Sequence, residues 1–236
     1  ALSGRPGPAY IDCGGDVLYE EVDEGSVVQP TRAETRTRPA AESSAVEKAM
    51  RMLSKAERPL IFAGGGAFFS GAAPELEQFI NSTNIPFYTA PMSRGLVPED
   101  HPVSFPAARS TAMREADVVL VVATRLNWML NYGNRFNSNV RIIQIDIDEG
   151  ELGHNHDVEL GIFGDAKAVM SQFNEAIEIK RSDFVGALES PWIIDLKRAN
   201  DEREARNAAI LNSDQIPIHP LRLCREIADF LDRDAI

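Results

Sequence analysis

Residues 58–66 read Arg58-Pro59-Leu60-Ile61-Phe62-Ala63-Gly64-Gly65-Gly66, an unbroken apolar run that stops on three glycines. A run without polar alternation describes a strand buried on both faces, and glycines at its end let the chain turn tightly into a helix. The pattern recurs downstream. A helix is predicted over 74–82, a strand over 85–89, a helix over 107–115, and then the most apolar strand, 118–123. Arg141–Ile147 supplies another strand, Ile162–Phe163 a short one, and a helix over 166–177 closes the unit. Strands separated by helices, joined by right-handed crossovers, give an α/β fold: a doubly wound parallel sheet, Rossmann-like in form.

Outward from this unit the signals change. Ser43 or Ser44 is placed to cap a helix running to about Ala56, with Glu47 three or four residues on and Val46, Met50 and Leu53 on one face. Residues 20–42 are acidic, then polar, with Pro30 and Pro39, and read as a linker. Ahead of them, Ala9-Tyr10-Ile11-Asp12 alternates like a short strand. Beyond Arg181, residues 192–211 form a charged helical stretch, and a helix starts at Pro220 with Leu221, Leu223, Cys224, Ile227, Phe230 and Leu231 at helical spacing. Asp234-Ala235-Ile236 reads as the start of a strand. A strand so near one end and another at the other end are expected of an internal piece of a longer protein.

Composition narrows the function classes. The 236 residues carry 24 basic and 36 acidic side chains, a net charge of −12, which argues against broad contact with nucleic-acid phosphates. No apolar stretch approaches the ~20 residues of a membrane span. Cys13 and Cys224, far apart, form neither a disulfide framework nor a zinc pattern, and the N-terminus lacks the features of a secretory signal, so a cytoplasmic setting is expected.

The residues able to carry chemistry fall at the ends of the predicted strands. Gly64, Gly65 and Gly66 permit close approach of a ligand, with N–H groups available to phosphate, or else simply make a tight turn. They do not complete the dinucleotide fingerprint: its third glycine would fall on Phe69, and the strand ending at Thr89 lacks the ribose-binding acid. Thr124 and Arg125 follow the most apolar strand, where an arginine can neutralise a pyrophosphate. Asp146 can accept from ribose hydroxyls, and Asp165, after Gly164, can cap the last helix at the same edge. Sheets of this kind bind ligands at that edge. In so acidic a chain, the spot around Arg125 is expected to be the only attractive place for a nucleotide diphosphate. His154 and His156 form a weak metal pattern, so no metal site is expected; His101 and His219 are expected to stabilise turns. No Gly-x-Ser-x-Gly elbow is present.

Taken together, these residues resemble the thiamine diphosphate-dependent enzymes of the 2-hydroxyacyl-CoA lyase, oxalyl-CoA decarboxylase and acetolactate synthase group. The resemblance is densest over 91–102, 107–133 and 142–155, and the run Arg125–Gly133 is similar to the acyl-CoA branch. Ser3–Asp12 with Asp16-Val17 resembles the end of that family's pyrimidine-binding domain, and 218–227 resembles the opening helix of its diphosphate-binding domain. The resemblance implies residues 1–22 from the first domain, a linker over 23–42, a central nucleotide-binding-like domain over 43–180, and a connecting helix leading into the last domain over 181–236. It implies thiamine diphosphate and Mg2+ in the parent protein, with the activating glutamate before Ala1 and the metal-binding Gly-Asp-Gly…Asn motif after Ile236, so no catalytic residue is assigned here. It also implies ADP, CoA or FAD at the central domain, contacting Arg5, Gly64, Gly65, Gly66, Thr124, Arg125, Asp146, Ile147, Asp165 and Ala166, with Thr89 a looser match. Leu126-Asn127-Trp128 departs from the acetolactate synthase pattern and weighs against isoalloxazine contacts. Neighbouring catalytic domains and a homo-oligomer, dimer or tetramer, are the implied partners. A different class of function is a binding module whose Rossmann-like domain only packs between catalytic domains.

Overall fold

The computed structural model describes residues 1, 4–28, 37–180, 184 and 187–232. Along the chain run α1 (Gly15–Leu18), α2 (Ser43–Ser54), β1 (Pro59–Ala63), α3 (Gly65–Ser70), α4 (Ala73–Thr83), β2 (Phe87–Thr89) and α5 (Arg109–Glu115). β3 (Val118–Val122), β4 (Arg141–Asp146), β5 (Leu160–Phe163), α6 (Ala166–Lys180), α7 (Pro191–Leu211) and α8 (Pro220–Phe230) follow. The strands make one parallel sheet in the order β2-β1-β3-β4-β5, the expected doubly wound α/β architecture. From β1 the chain moves outward to β2 and then returns past β1 to β3. The order therefore reverses between β1 and β3, at a topological switch point.

The core explains why these segments become strands. Every residue of β3 is buried, as are Leu60–Ala63 of β1 and Ile142–Asp146 of β4. Right-handed crossovers in opposite directions put α4 and α5 on opposite faces. On one face α2 and α4 pack beside α6, where the Phe79 and Phe173 rings meet with centroids 5.6 Å apart. On the other, α5 and a short turn at 106–108 lie under α7. The first half of α7 belongs to this core: Trp192, Ile193 and Leu196 are buried, and the Trp192 indole N–H donates to the Pro59 carbonyl at 3.0 Å. Asn200 on the same helix accepts from the Ala107 amide at 3.0 Å. Among the described residues no helix is long and apolar enough to cross a membrane.

Several local expectations are corrected. Ala9–Asp12 is not a strand: Tyr10 and Ile11 are 88% and 87% exposed, and among the described residues no strand pairs with them. Neither Ser43 nor Ser44 caps α2; Glu42 precedes it without a side-chain cap, and its carbonyl accepts from Ala45 and Val46. Val46, Met50 and Leu53 do form the buried face. Between the glycine turn and the helix expected at 74–82 stands one further helix, α3. The linker residues 29–36 and the predicted terminal strand at 234–236 lie outside the described residues.

The end of the linker is a strap across the start of α6. Arg38 Nη1 donates to Asp165 Oδ1 at 2.8 Å and to the Ser70 carbonyl at 2.7 Å. The Asp165 amide donates to the Pro39 carbonyl, and Gln172 bonds both polar groups of the Ala41 backbone. A Cβ on Gly164 would meet Val169 Cγ2 at 2.6 Å and the Pro39 carbonyl at 3.2 Å, so glycine lets the strap pass.

The switch point is closed by equally tight contacts. Gly64 N–H donates to the Val122 carbonyl at 2.9 Å and Gly66 N–H to the Ala123 carbonyl at 3.0 Å. Ala123 has φ +48°, a left-handed conformation that turns the chain sharply off β3. A Cβ on Gly64 would collide with the Thr124 Cβ and stand 2.6 Å from the Ala123 carbonyl oxygen; one on Gly65 would meet Met92 Cβ at 3.1 Å, on an exposed turn. Gly64→Ala is therefore expected to destabilise the domain by about 1–3 kcal/mol or more, as overpacking does. Gly65→Ala gains helix propensity against a yielding neighbour, and its change should stay within about 1 kcal/mol. Urea unfolding of the two variants checks this, and equal losses would contradict it.

Candidate functional site

The carboxyl ends of the strands bring most of the sequence-selected residues to one edge. Register places Thr89 beside Ala63, Ala63 beside Val122, and Val122 beside Ile145, so the loops that follow start level with one another. Gly64–Gly66 and Ala123–Thr124 are in direct contact across the switch point. The turn glycines face protein as much as solvent: the Gly64 and Gly66 amides are held by the carbonyls of Val122 and Ala123, which leaves Gly65 as the turn's remaining N–H. Thr89, half-buried, borders the other candidates by register.

A second group gathers beyond β4. Gln144, buried in the strand, donates through Nε2 to the Glu151 carbonyl at 2.9 Å and accepts from the Gly153 amide at 3.0 Å. That pair of bonds folds the loop after β4 back onto the sheet edge and fixes Glu151. Arg5 reaches it from the far N-terminus, with Nη2 at 2.9 Å from Glu151 Oε1 and 2.8 Å from Asp148 Oδ2. Arg125 Nε lies 3.7 Å from the same Glu151 oxygen, its side chain 54% exposed. Asp146 is buried and its Oδ1 accepts from the Asp148 amide at 2.9 Å. Burial raises the Asp146 carboxyl above the ordinary 3.8; the Asp148 amide and the Arg5 charge oppose that rise. Ile147 is half-buried beside it.

The expected positive spot is thus corrected. Arg5 and Arg125 share their surroundings with Asp146, Asp148 and Glu151, so that half of the edge is electrically mixed and the arginines are already paired. Nor is it the only basic place among the described residues, as Arg109, at the start of α5, feels the charges of Arg135 and Arg94. Asp165 does cap α6, accepting from the Ala168 amide at 3.1 Å, but its carboxylate is also held by Arg38 and Ser70. Ala166 is buried behind it. Asp148, Glu151 and Arg38 were not singled out by sequence; the acidic run 146–151 was the one signal for the first two, and Arg38 stood unmarked in the linker.

His101 bonds Asn81 and the Val103 amide, and His219 caps α8 by accepting from the Leu221 amide at 3.1 Å, both as turn residues. Among the described residues no group of three or more His, Cys, Asp or Glu is arranged to hold a metal ion. In the loops and helix that follow β1, β2 and β3, Phe68, Phe69, Met92, Trp128 and Tyr132 are exposed. The turn carrying the last two is fixed by left-handed Asn131 and Tyr132 and by Gly133, whose missing Cβ makes room for the His156 ring.

Comparison with known proteins agrees with this architecture. The family model described as thiamine pyrophosphate enzyme, central domain, matches residues 46–173, which span β1 to β5. The chain is 37% identical over 237 residues to the 2-hydroxyacyl-CoA lyase of Arabidopsis thaliana, covering 96% of this chain and 41% of that protein. It is 33% identical over 236 residues to the oxalyl-CoA decarboxylase of Escherichia coli (strain K12), covering 98% and 41%. It is 32% identical over 237 residues to a probable acetolactate synthase of Mycobacterium bovis, covering 100% and 42%. The chain spans about two-fifths of the length of the curated relatives it matches. This chain belongs to the thiamine pyrophosphate enzyme family, and its five-stranded sheet with flanking helices is the fold of that family's central domain.

Proposed function

We propose that this chain is the nucleotide-binding middle of a thiamine diphosphate-dependent lyase or decarboxylase acting on 2-oxo acid or 2-hydroxyacyl-CoA substrates. The observation that carries the reading is the glycine turn pressed against Ala123–Thr124 at the switch point, beside Arg125, in a chain similar to two proteins named for CoA substrates. In this reading Gly64–Gly66, Thr124 and Arg125 border the diphosphate of an adenine nucleotide such as ADP or CoA. Asp146 and Ile147 border the ribose, and Thr89, Asp165 and Ala166 form the flanks. Arg5 sits over the same loop and joins the site if it leaves Glu151 for the ligand. FAD is a variant of this reading, supported by the likeness to a probable acetolactate synthase and opposed by Leu126-Asn127-Trp128.

Residues 1–22 and the end of 181–236 are assigned to neighbouring domains, consistent with Tyr10, Ile11, Ile216 and Phe230 all being more than 80% exposed. The buried half of α7 goes with the central unit. Among the described residues no cluster of ligating side chains is arranged for the magnesium that accompanies thiamine diphosphate, and we derive no step through that cofactor. Cys13 and Cys224, exposed and unpaired, accord with a reducing cytoplasmic setting. A second reading, a packing and assembly module, is favoured by the prior pairing of Arg5 and Arg125 and by the exposed apolar side chains at the switch point.

Three measurements bear on these readings. ADP or CoA should bind saturably, and Arg125→Ala should weaken binding by about 1.5–3 kcal/mol, roughly tenfold to a hundredfold, without unfolding the chain. No uptake, or unchanged affinity in the variant, would favour the packing module; an absorption spectrum separates FAD. Titration with thiamine diphosphate and magnesium should give no saturable heat, and clear binding at micromolar cofactor would contradict the assignment of that chemistry to other segments.

The third concerns Asp146. Its folded pKa is raised, chiefly by burial, so its favourable contribution is present below the unfolded value near 3.8 and is lost as pH rises through the folded value. Asp146→Asn keeps the acceptor for Asp148 and removes the charge. It should melt above the parent at about pH 7, with the difference shrinking toward about pH 4. A lower melting temperature at neutral pH would contradict this.

A further inference from the structure

A basic groove lies on the outer side of α2. Lys48, Arg51 and Lys55 stand three and four residues apart and so share one side of the helix. Arg141 opens β4, at the amino edge of the sheet and opposite the glycine turn. These four cations and the buried Met52 line a groove of about 370 Å³. One carboxylate serves the group: Glu159 Oε1 lies 3.6 Å from Lys48 Nζ and 3.6 Å from Arg141 Nη2. The Glu159 carbonyl also accepts from Lys48 Nζ at 3.2 Å. Among the described residues no acid pairs with Arg51 or Lys55, and like charges at this helical spacing repel one another.

The same chain carries the complement. Glu20-Glu21-Val22-Asp23-Glu24 sets four carboxylates within five residues, all of them exposed, with Val22 exposed among them. Glu20–Asp23 is not helical; Asp23 is extended at φ −68° and ψ 119° and holds the turn that follows by accepting from the Gly25 amide at 3.2 Å. Among the described residues none of these four carboxylates forms an ion pair. The dimensions agree as well. Lys48 to Lys55 is about 10 Å along a helix, and Glu20 to Asp23 spans about the same in extended chain.

We propose that the α2 groove is a docking surface for the acidic run 20–24 of a second copy of this chain. Among the described residues the groove's ion pairs within one chain go to Glu159 alone, so the run that fills it comes from another copy. In a pair related by a two-fold axis each run meets the other copy's groove, and the contact is made twice. Carboxylates of the run neutralise Arg51 and Lys55, and Val22 brings an apolar side chain to the groove between them. A compact anion would reach one end of a groove this long, whereas an extended polypeptide runs along it. Each exposed pair contributes little, so the association rests on several pairs formed together and weakens as salt screens them. The surface lies at the amino edge and does not depend on the nucleotide reading, which concerns the carboxyl edge.

Sedimentation velocity of the 236-residue chain over a concentration series, in about 0.01 M and about 1 M sodium chloride, tests it. The chain should form dimers at low salt and dissociate at high salt. Two double variants, Arg51→Gln with Lys55→Gln and Glu20→Gln with Glu21→Gln, should each weaken association by about tenfold or more. Lys197→Gln with Arg203→Gln, which removes exposed cations from α7, should leave it unchanged. The groove variant and the run variant, mixed, should associate again but less tightly than the parent, because one intact run then meets one intact groove. The run variant alters exposed residues outside the sheet and keeps the test decisive should the groove variant fail to fold. Monomers at low salt, dimers indifferent to either double variant, or variants that do not recover on mixing overturn the proposal. A monomer whose melting temperature falls in both variants overturns it too, and places the run in its own chain's groove.

Discussion

The architecture hangs on one close approach: the turn after β1 must lie directly against the end of β3. Gly64 and Gly66 make that possible because they carry nothing to fill the space taken by Thr124 and the Ala123 carbonyl. Their amides bond β3 carbonyls and so extend the sheet by a residue past its formal end. Ala123 adopts a left-handed conformation to present those carbonyls. This contact sets where α3 and Arg125 begin, and hence the shape of the edge. A side chain at Gly64 would push the two loops apart and disturb the sheet and the site together.

Charge divides that edge into two halves. Beyond β4, the buried Gln144 holds the loop carrying Glu151, and Glu151 gathers Arg5 and Arg125 from positions 146 and 26 residues away in sequence. That half is close to balanced, and a ligand there would have to exchange places with an existing ion pair. Exposed pairs of this kind contribute about 0–1 kcal/mol, so the exchange is not expensive. Over β1 and β2, Arg94 Nε stands 3.9 Å from Glu99, and Arg109 lies over the Phe62 ring. A half-exposed apolar rim, with Trp128 and Phe68 among its members, lies along the same edge.

The strands were legible because a parallel sheet covered on both faces demands unbroken apolar runs, which 59–63, 118–122 and 141–146 supply. Helix faces were legible from their spacing, as Val46, Met50 and Leu53 illustrate. What the sequence concealed depended on partners. Ala9–Asp12 alternates like a strand, but alternation cannot provide a neighbour to pair with. α3 was hidden because Gly-Gly-Ala-Phe-Phe-Ser has weak helix propensity, and the packing of its turn on β3 overrides it. The pairings of Arg5 with Glu151 and of Arg38 with Asp165 join residues remote in sequence, which no local pattern encodes.

The nucleotide contact we propose lies at the β1/β3 switch point. Amide chemical-shift mapping of the isotope-labelled chain on addition of ADP tests it most directly, because it reports where binding occurs and not only whether it does. The account predicts that the largest changes fall on Gly64–Gly66 and Thr124–Arg125, with smaller ones at Asp146–Ile147. Changes concentrated at the opposite edge, in the cleft lined by Leu53, Pro86 and Trp192, or no changes at all, would contradict it.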